Sequence, residues 1–458
     1  MSRPNDPHRP RFHFTAPTNW LNDPNGIFHH QGRYHLHYQH NPQAAKWGAI
    51  HWGHATSTDL VHWQDEPLAL SPSHEHDLQG CWSGCIVDVD GQPTLYYTGF
   101  NGERQVQCSA TSQDLVQWTP RPQGSIVQRP AGVGPQDFRD PYVFRHGDWW
   151  YMVVGASLNH ERGQCLLYRS ADGVEWHERG ALFTASDLRL GRMWECPNFF
   201  PLGDKWVLVV SLWLFLGVHV FVGRFENERF VPEWDGPLDV EAGAFAHLAF
   251  RGPDGRTLQW GWINEQRDQA LIDADGWAGA LTVPRELLLD EHGRFAHRPA
   301  AELARLRQAE LVPEPGADGS SNRFRFAGRH LDIEAEFELN TAKVGLELLR
   351  SADGQERTRI VFWPEARRLS IERSHSSLSA DVRRQDVHGH LELGADEPLQ
   401  LRVLLDASVL EVYANDRLSL ITRVYPTLAD SDAAALFVEG QGRASIRVWE
   451  MGSMFPDR

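Results

Sequence analysis

The chain has 458 residues, 41% hydrophobic and 23% charged, an ordinary balance for a globular protein with room for a large core and two or three domains. Its formal charge of -17, from 44 basic against 61 acidic residues without a basic run, argues against a nucleic-acid or anionic-membrane partner. The polar, proline-rich first twenty residues lack the apolar stretch of a secretory signal, and five cysteines without paired CxxC spacing indicate neither a disulfide framework nor a zinc site, so a cytoplasmic location is expected.

In chain order the first distinctive stretch is Asn19-Trp20-Leu21-Asn22-Asp23-Pro24-Asn25-Gly26. Its acid precedes an apolar pair (Ile27, Phe28), a turn with Gly32, and Tyr34-His35-Leu36-His37-Tyr38, where alternate residues share a face as in a β-hairpin. The pattern then recurs four times. Ser83 precedes Ile86, Val87, Gly91 and residues 94–97; Asp140 precedes residues 142–144, Gly147 and residues 149–154. Glu195 precedes Phe199, Phe200, Gly203 and residues 206–210; His247 precedes residues 248–250, Gly255 and residues 257–260. A second repeat keeps the period, since Ala55-Thr-Ser-Thr-Asp-Leu-Val-His-Trp63 returns as Ala110-Thr-Ser-Gln-Asp-Leu-Val-Gln-Trp118.

A β-rich unit repeating every fifty to sixty residues or so implies propeller blades, each too small to bury its own faces until stacked on its neighbours. The expected fold is all-β: a five-bladed β-propeller over 1–300, a linker over 301–321 and a β-sandwich over 322–458. The first strand of each blade lines the central axis, so Asp23, Asp140 and Glu195, from three different blades, are expected to meet in one pocket.

Other stretches are read as structural. Residues 206–222 are apolar apart from Ser211 and His219, but they fall short of the roughly 20 residues of a membrane span and follow a hairpin turn in register with the repeats, so two buried strands are expected. The pairs His35/His37 and His74/His76 share strand faces without a third ligand at a recognisable spacing, and no metal or other cofactor is expected. Residues 300–307 carry a short helical pattern, and 313–321 read as the linker proper. Beyond it, Leu331, Ile333, Ala335, Phe337 and Leu339 alternate with acids, the period of a half-buried antiparallel strand.

Two carboxylates flanking a glycosidic bond divide the work of cleaving it, one attacking or activating water and the other protonating the leaving oxygen. Trp20, Trp47, Trp52, Trp82 and Trp194 lie near the repeated acids, and aromatic faces beside carboxylates suit a sugar; blade packing is the competing explanation for about half of them. Trp20-Leu-Asn-Asp-Pro-Asn-Gly26, Phe138-Arg-Asp-Pro141 and Trp194-Glu-Cys-Pro197, with Trp82-Ser-Gly84, Tyr38-Gln-His-Asn-Pro42, Gly279-Ala-Leu-Thr-Val-Pro-Arg-Glu-Leu287 and Leu410-Glu-Val-Tyr-Ala-Asn-Asp416, resemble the motifs of glycoside hydrolase family 32, the β-fructofuranosidases. The resemblance runs nearly end to end and agrees with the five-blade count. It implies Asp23 as nucleophile, Glu195 as acid/base and Asp140 as transition-state stabiliser, with Asn22, Gln39, Trp47, Ser83 and Arg139 contacting the fructosyl unit beside the aromatic Trp20 and Trp82. The chain departs from the family at Asp239-Val-Glu-Ala-Gly-Ala-Phe-Ala-His-Leu248, on the leaving-group side.

The expected partner is thus a small carbohydrate, with no oligomeric state specified. An inverting arabinan-type hydrolase, a sugar-binding protein and a fructosyltransferase are the competing readings. A phosphorylated leaving group would need Arg or Lys nearby. The fifth repeat offers only His247, so unphosphorylated sucrose or short fructo-oligosaccharides are expected.

Overall fold

A computed structural model describes residues 6–121, 124–213, 217–239, 243–315, 323–339, 343–440, 442–456 and 458. The expected linker and the altered stretch of the fifth repeat lie partly outside the described residues, at 316–321 and 240–242. So does the middle of the apolar 206–222 segment, whose flanks are the strands Lys205–Leu212 and Gly217–Glu226.

The fold is all-β and propeller-like. Three repeats form antiparallel four-stranded meanders: Asn19–His30 to Gln64–Leu70, Gly80–Val89 to Thr119–Pro120, and Phe138–His146 to His177–Thr184. The fifth repeat pairs Ala244–Arg251 with Thr257–Ile263, then Arg285–Leu289 and Phe295–Pro299. Trp277–Ala278 lies parallel against Asn19–His30, so chain from beyond the fifth repeat's hairpin is tied into the first sheet. The first strands of the five repeats pack against one another in cyclic order, the last returning to the first.

As hydrogen-bonded sheets, however, only four blades are discrete, not the expected five. The fourth meander, Trp194–Leu202 to Arg229–Asp239, continues through a parallel pairing of Asp239 with Ser419 into a sheet of the C-terminal domain. The cause is local. Asp239 ends its strand beside Ser419, whose hydroxyl donates to the Asp239 carboxylate, so the outer edge of that meander is covered by the neighbouring domain.

The C-terminal domain consists of two facing antiparallel sheets. Leu331, Ile333, Ala335 and Phe337 point into its core against Leu346, Ile360 and Leu436, as the alternation implies. Asp332, on the opposite face of that strand, is also buried, held by Arg307 and Arg402. Within the expected linker, residues 301–306 form a 3-10 turn, and Arg307–Leu311 is already a strand of the sandwich, paired with Gly442–Met451.

Candidate active site

Every inner strand is broken at or beside its repeated position. The ladder of the first repeat skips between Leu21 and Pro24, that of the second between Trp82 and Gly84, and that of the third opposite Asp140 and Pro141. The fourth skips between Glu195 and Asn198, and the fifth between Phe245 and Leu248. A bulge bends its strand and re-aims a side chain, and Pro24, Pro141 and Pro197, which cannot donate to a ladder, mark three of the five. Asp140 and Cys196 have φ of 65° and 45°, left-handed conformations that non-glycine residues adopt only when their surroundings enforce them. The sequence's repeat is therefore a repeat of bulges, which turn their side chains toward the axis.

The result is one cavity of about 400 Å³ at the mouth of the ring. All ten residues singled out from the sequence line it: the acids Asp23, Asp140 and Glu195, and Trp20, Asn22, Gln39, Trp47, Trp82, Ser83 and Arg139. Trp47, half exposed, meets Trp82 edge-on at 5.8 Å, and Trp20 meets Trp262 in the same way at 5.8 Å. Trp52 and Trp194 do not line it. Both are fully buried in blade packing, so the proximity in sequence that suggested a sugar contact reflects the core instead.

The three acids are held differently. Asp23 accepts hydrogen bonds from Ser83 Oγ at 2.6 Å and Asn22 Nδ2 at 2.9 Å, and Asn22 is itself fixed by Trp20 Nε1 at 2.7 Å. Asp140 accepts the Cys196 N–H at 2.9 Å, while its own N–H donates to Thr98 Oγ1. The Cys196 thiol lies 3.6 Å from both Asp23 Oδ2 and Asp140 Oδ2. Glu195 gives only Oε1 to Arg139, whose Nε and Nη2 donate at 3.0 and 2.9 Å. Gln105 and the Gln136 carbonyl fix the far side of the same guanidinium.

Three carboxylates thus share one cation in a site where Glu195 is 19% exposed and Asp140 6%. Burial pushes all three pKa values up. For Asp140, Arg139 opposes this while the charges of Glu195 and Asp23 add to it, leaving it at about 7. Glu195 is raised by burial and by Asp23 against the pull of Arg139. Asp23 is raised by burial, with Ser83, Asn22 and Cys196 as the restraining donors.

His247 shares the repeat position but takes no part in this lining. It is fully buried, with Nε2 2.8 Å from Asp239 Oδ2, itself held by Arg285 at 2.9 Å. Nor does Trp194 desolvate Glu195. The lining residues Gln105, Gln136, Trp213, Phe245 and Trp262 were not foreseen; most lie outside the repeated motif. The pair His74/His76 does gain a nearby third group in Asp77, whose carboxylate accepts the N–H groups of Ser73 and His74 and the Tyr97 hydroxyl.

Comparison with known proteins agrees with this geometry. The model of the glycosyl hydrolases family 32 N-terminal domain matches residues 13–299, and that of the family 32 C-terminal domain matches 302–450. The chain is 34% identical over 445 residues to a sucrose-6-phosphate hydrolase of Escherichia coli, covering 91% of this chain and 89% of that protein. It is also 34% identical over 457 residues to a raffinose invertase of Escherichia coli, covering 93% and 91%. Among solved structures, fructan 1-exohydrolase IIa from Cichorium intybus superposes with a TM-score of 0.86 at 25% identity over 98% of each chain. A GH32 β-fructofuranosidase of Bombyx mori gives 0.83 at 27%, covering 99% and 96%. Fold and site define a glycosidase of the β-fructofuranosidase type, an enzyme class that hydrolyses sucrose and fructans. The chain belongs to glycosyl hydrolases family 32.

Proposed function

We propose that the chain is a retaining hydrolase that removes terminal β-D-fructofuranosyl residues from sucrose or small fructo-oligosaccharides through a covalent fructosyl-enzyme intermediate. The observation that carries this reading is the asymmetric load on the acids. Asp23 is held as a carboxylate acceptor by two polar side chains, whereas Glu195 is clamped through Oε1 alone, leaving Oε2 without a hydrogen-bond partner among the described residues.

On this reading an Asp23 oxygen attacks the anomeric C2 as the C2–O glycosidic bond breaks, and the proton on Glu195 Oε2 passes to the departing oxygen. Once Asp23 is esterified its negative charge is gone. With it goes the charge that helps raise Glu195, whose pKa then falls, so the same group becomes the base that takes a proton from the attacking water. That water's oxygen bonds to C2 and releases the Asp23 carboxylate. Asp140 accepts hydroxyls of the fructosyl ring, with Asn22, Gln39, Trp47, Ser83 and Arg139 around the same unit and Trp20 and Trp82 as apolar walls.

The fourth meander counts here as a blade, because it supplies Glu195 to the common mouth; the fold is then a five-bladed propeller followed by a sandwich, with the boundary near residue 300. Five free thiols, four of them buried, support a reducing, cytoplasmic setting. No helix among the described residues is long and apolar enough to cross a membrane.

Retention requires the Asp23 and Glu195 carboxyl groups to be about 5 to 5.5 Å apart, against roughly 6.5 to 9.5 Å for inversion. Following sucrose cleavage by NMR before mutarotation should reveal β-fructofuranose as the first product. Initial release of the α-anomer would sink the double displacement.

A further inference from the structure

A second cavity, of about 490 Å³, adjoins the catalytic one and shares Trp20 and Trp262 with it as a common wall. Its other walls come from both domains: Asn264, Gln266 and Arg267 from the propeller, and Arg373, Arg383 and Gln385 from the sandwich. The sandwich segment is fastened there by main-chain bonds. Arg383 N–H donates to the Gln266 carbonyl at 2.8 Å, Asp268 N–H donates to the Asp381 carbonyl at 2.9 Å, and Arg267 bridges to Val382.

The charges lining this space are unequal. Glu265, its acid, is spoken for by Arg267 at 2.9 Å and Arg423 at 3.2 Å, and Arg267 is held further by Asp275 at 2.5 Å. Burial would raise Glu265, but Arg423 and Arg267 outweigh it and hold the acid at about 2, so it stays ionised and matched. Asp386, on the same segment, accepts the Arg373 N–H at 2.7 Å. Arg383 differs: it is exposed, and its guanidinium has no ion-pair or hydrogen-bond partner among the described residues.

We infer that this second cavity is a leaving-group subsite completed by the sandwich, with Arg383 as its anion-binding residue, and that it selects β-fructosides whose leaving sugar carries a phosphate ester. The inference rests on the catalytic reading above and extends it. The fructosyl unit occupies the acid-lined cavity, the departing sugar lies along the Trp20–Trp262 wall, and its phosphate meets the one guanidinium in the second cavity that has a free fork for two oxygens. The sequence pointed to the fifth repeat for basic residues and found only His247, which the structure buries against Asp239. Cationic groups come instead from a domain that begins after the propeller closes. The expected preference for unphosphorylated substrates is therefore reversed.

The test compares kcat/KM for sucrose and for sucrose phosphorylated on its glucose 6-hydroxyl, in the wild-type enzyme and in Arg383→Gln and Arg383→Lys. The wild type should favour the phosphate ester. Arg383→Gln should lower kcat/KM for the ester about 10- to 100-fold, mostly through KM, and change sucrose turnover by less than about twofold. Arg383→Lys should recover part of the loss, and raising ionic strength should weaken the ester alone. A wild type that prefers sucrose, or an Arg383→Gln effect equal on both substrates or absent from both, overturns the subsite. Failure to release fructose from either substrate would instead count against the catalytic reading.

Discussion

Two regions of the molecule bury acids, and they do so in opposite ways. At the mouth, Asp23, Asp140 and Glu195 share Arg139 and a few neutral donors, and all three are pushed toward the protonated form. At the seam between propeller and sandwich, each acid is outnumbered by its partners. Asp406 accepts the N–H groups of Arg11, Phe12 and His13 together with the rings of His13 and His330. Glu411 takes His13 and the Val283 N–H, and Asp239 takes Arg285, His247 and Ser419. Burial acts on both sets, but at the seam hydrogen bonds and opposite charges overcome it and drive Asp239 and Asp406 well below the usual carboxylate range. The seam's charges are spent on structure. Those at the mouth are left short of partners, which is the condition for moving a proton.

The largest effect that would sharpen this contrast is on turnover. Asp23→Asn and Glu195→Gln, which keep the shape of the side chains, should each cut kcat on sucrose by about 10³ to 10⁵ while leaving thermal stability unchanged or slightly raised, because a like-charge contact is removed. Near-normal turnover in either variant would remove that residue from the chemistry. A large drop in melting temperature would mean instead that the mouth is structural like the seam.

The seam predicts the converse. Asp406→Ala leaves the His13 and His330 rings and three buried N–H groups without their acceptor and should destabilise the protein by about 3 to 5 kcal/mol, with kcat of the folded fraction nearly unchanged. Denaturant midpoints should carry the same signature against pH. Glu265, lowered from 4.5 to about 2, contributes stability that is complete above pH 4.5 and is lost as pH falls toward 2; Asp239 and Asp406 act in the same direction below 3.8. His13 works at the other end. Burial opposes its charge, but Asp406 and Glu411 raise it to about 9, so its contribution is complete below 6.5 and disappears as pH rises through 9. Asp140 runs against the seam acids: raised from 3.8 to about 7, it weakens the fold as pH climbs through that window, and Asp140→Asn should flatten that decline. An Asp140→Asn profile parallel to wild type between pH 4 and 7 would break the comparison.

What the sequence reveals of these two regions follows from distance along the chain. The mouth repeats, so Asp23, Ser83, Asp140 and Glu195 could be aligned with one another and their convergence foreseen. The fifth member, His247, could not be told apart, since its burial depends on Asp239 in the preceding meander and on Arg285 farther along the chain. The seam has no period. Glu411 sits in a stretch that resembles a family motif, yet its role depends on His13, 398 positions away. For the same reason Trp194 and Trp52 could not be separated from Trp47 and Trp82 by proximity to an acid: one residue's shift along a bulged strand decides which face a ring takes.

The smallest and most discriminating effect concerns Cys196, whose thiol touches two acids of the mouth without touching the third. Its sulfur lies 3.6 Å from Asp23 Oδ2 and from Asp140 Oδ2, so as a donor it stabilises those carboxylates, while Glu195 is clamped by Arg139 instead. The activity profile falls on the acidic side when Asp23 is protonated and on the basic side when Glu195 loses its proton. Cys196→Ala removes a donor from Asp23, raises its pKa and should move the acidic limb upward by a few tenths of a pH unit, a size set by a weak, shared S–H hydrogen bond. Cys196→Ser substitutes a stronger donor and should move the same limb downward. Both should leave the basic limb within error, because neither alters Arg139 or Oε1 of Glu195. Were the basic limb to move and the acidic one stay fixed, the thiol would be acting on Glu195 through desolvation, and the division of the mouth into a donor-held nucleophile and an arginine-clamped acid would have to be redrawn.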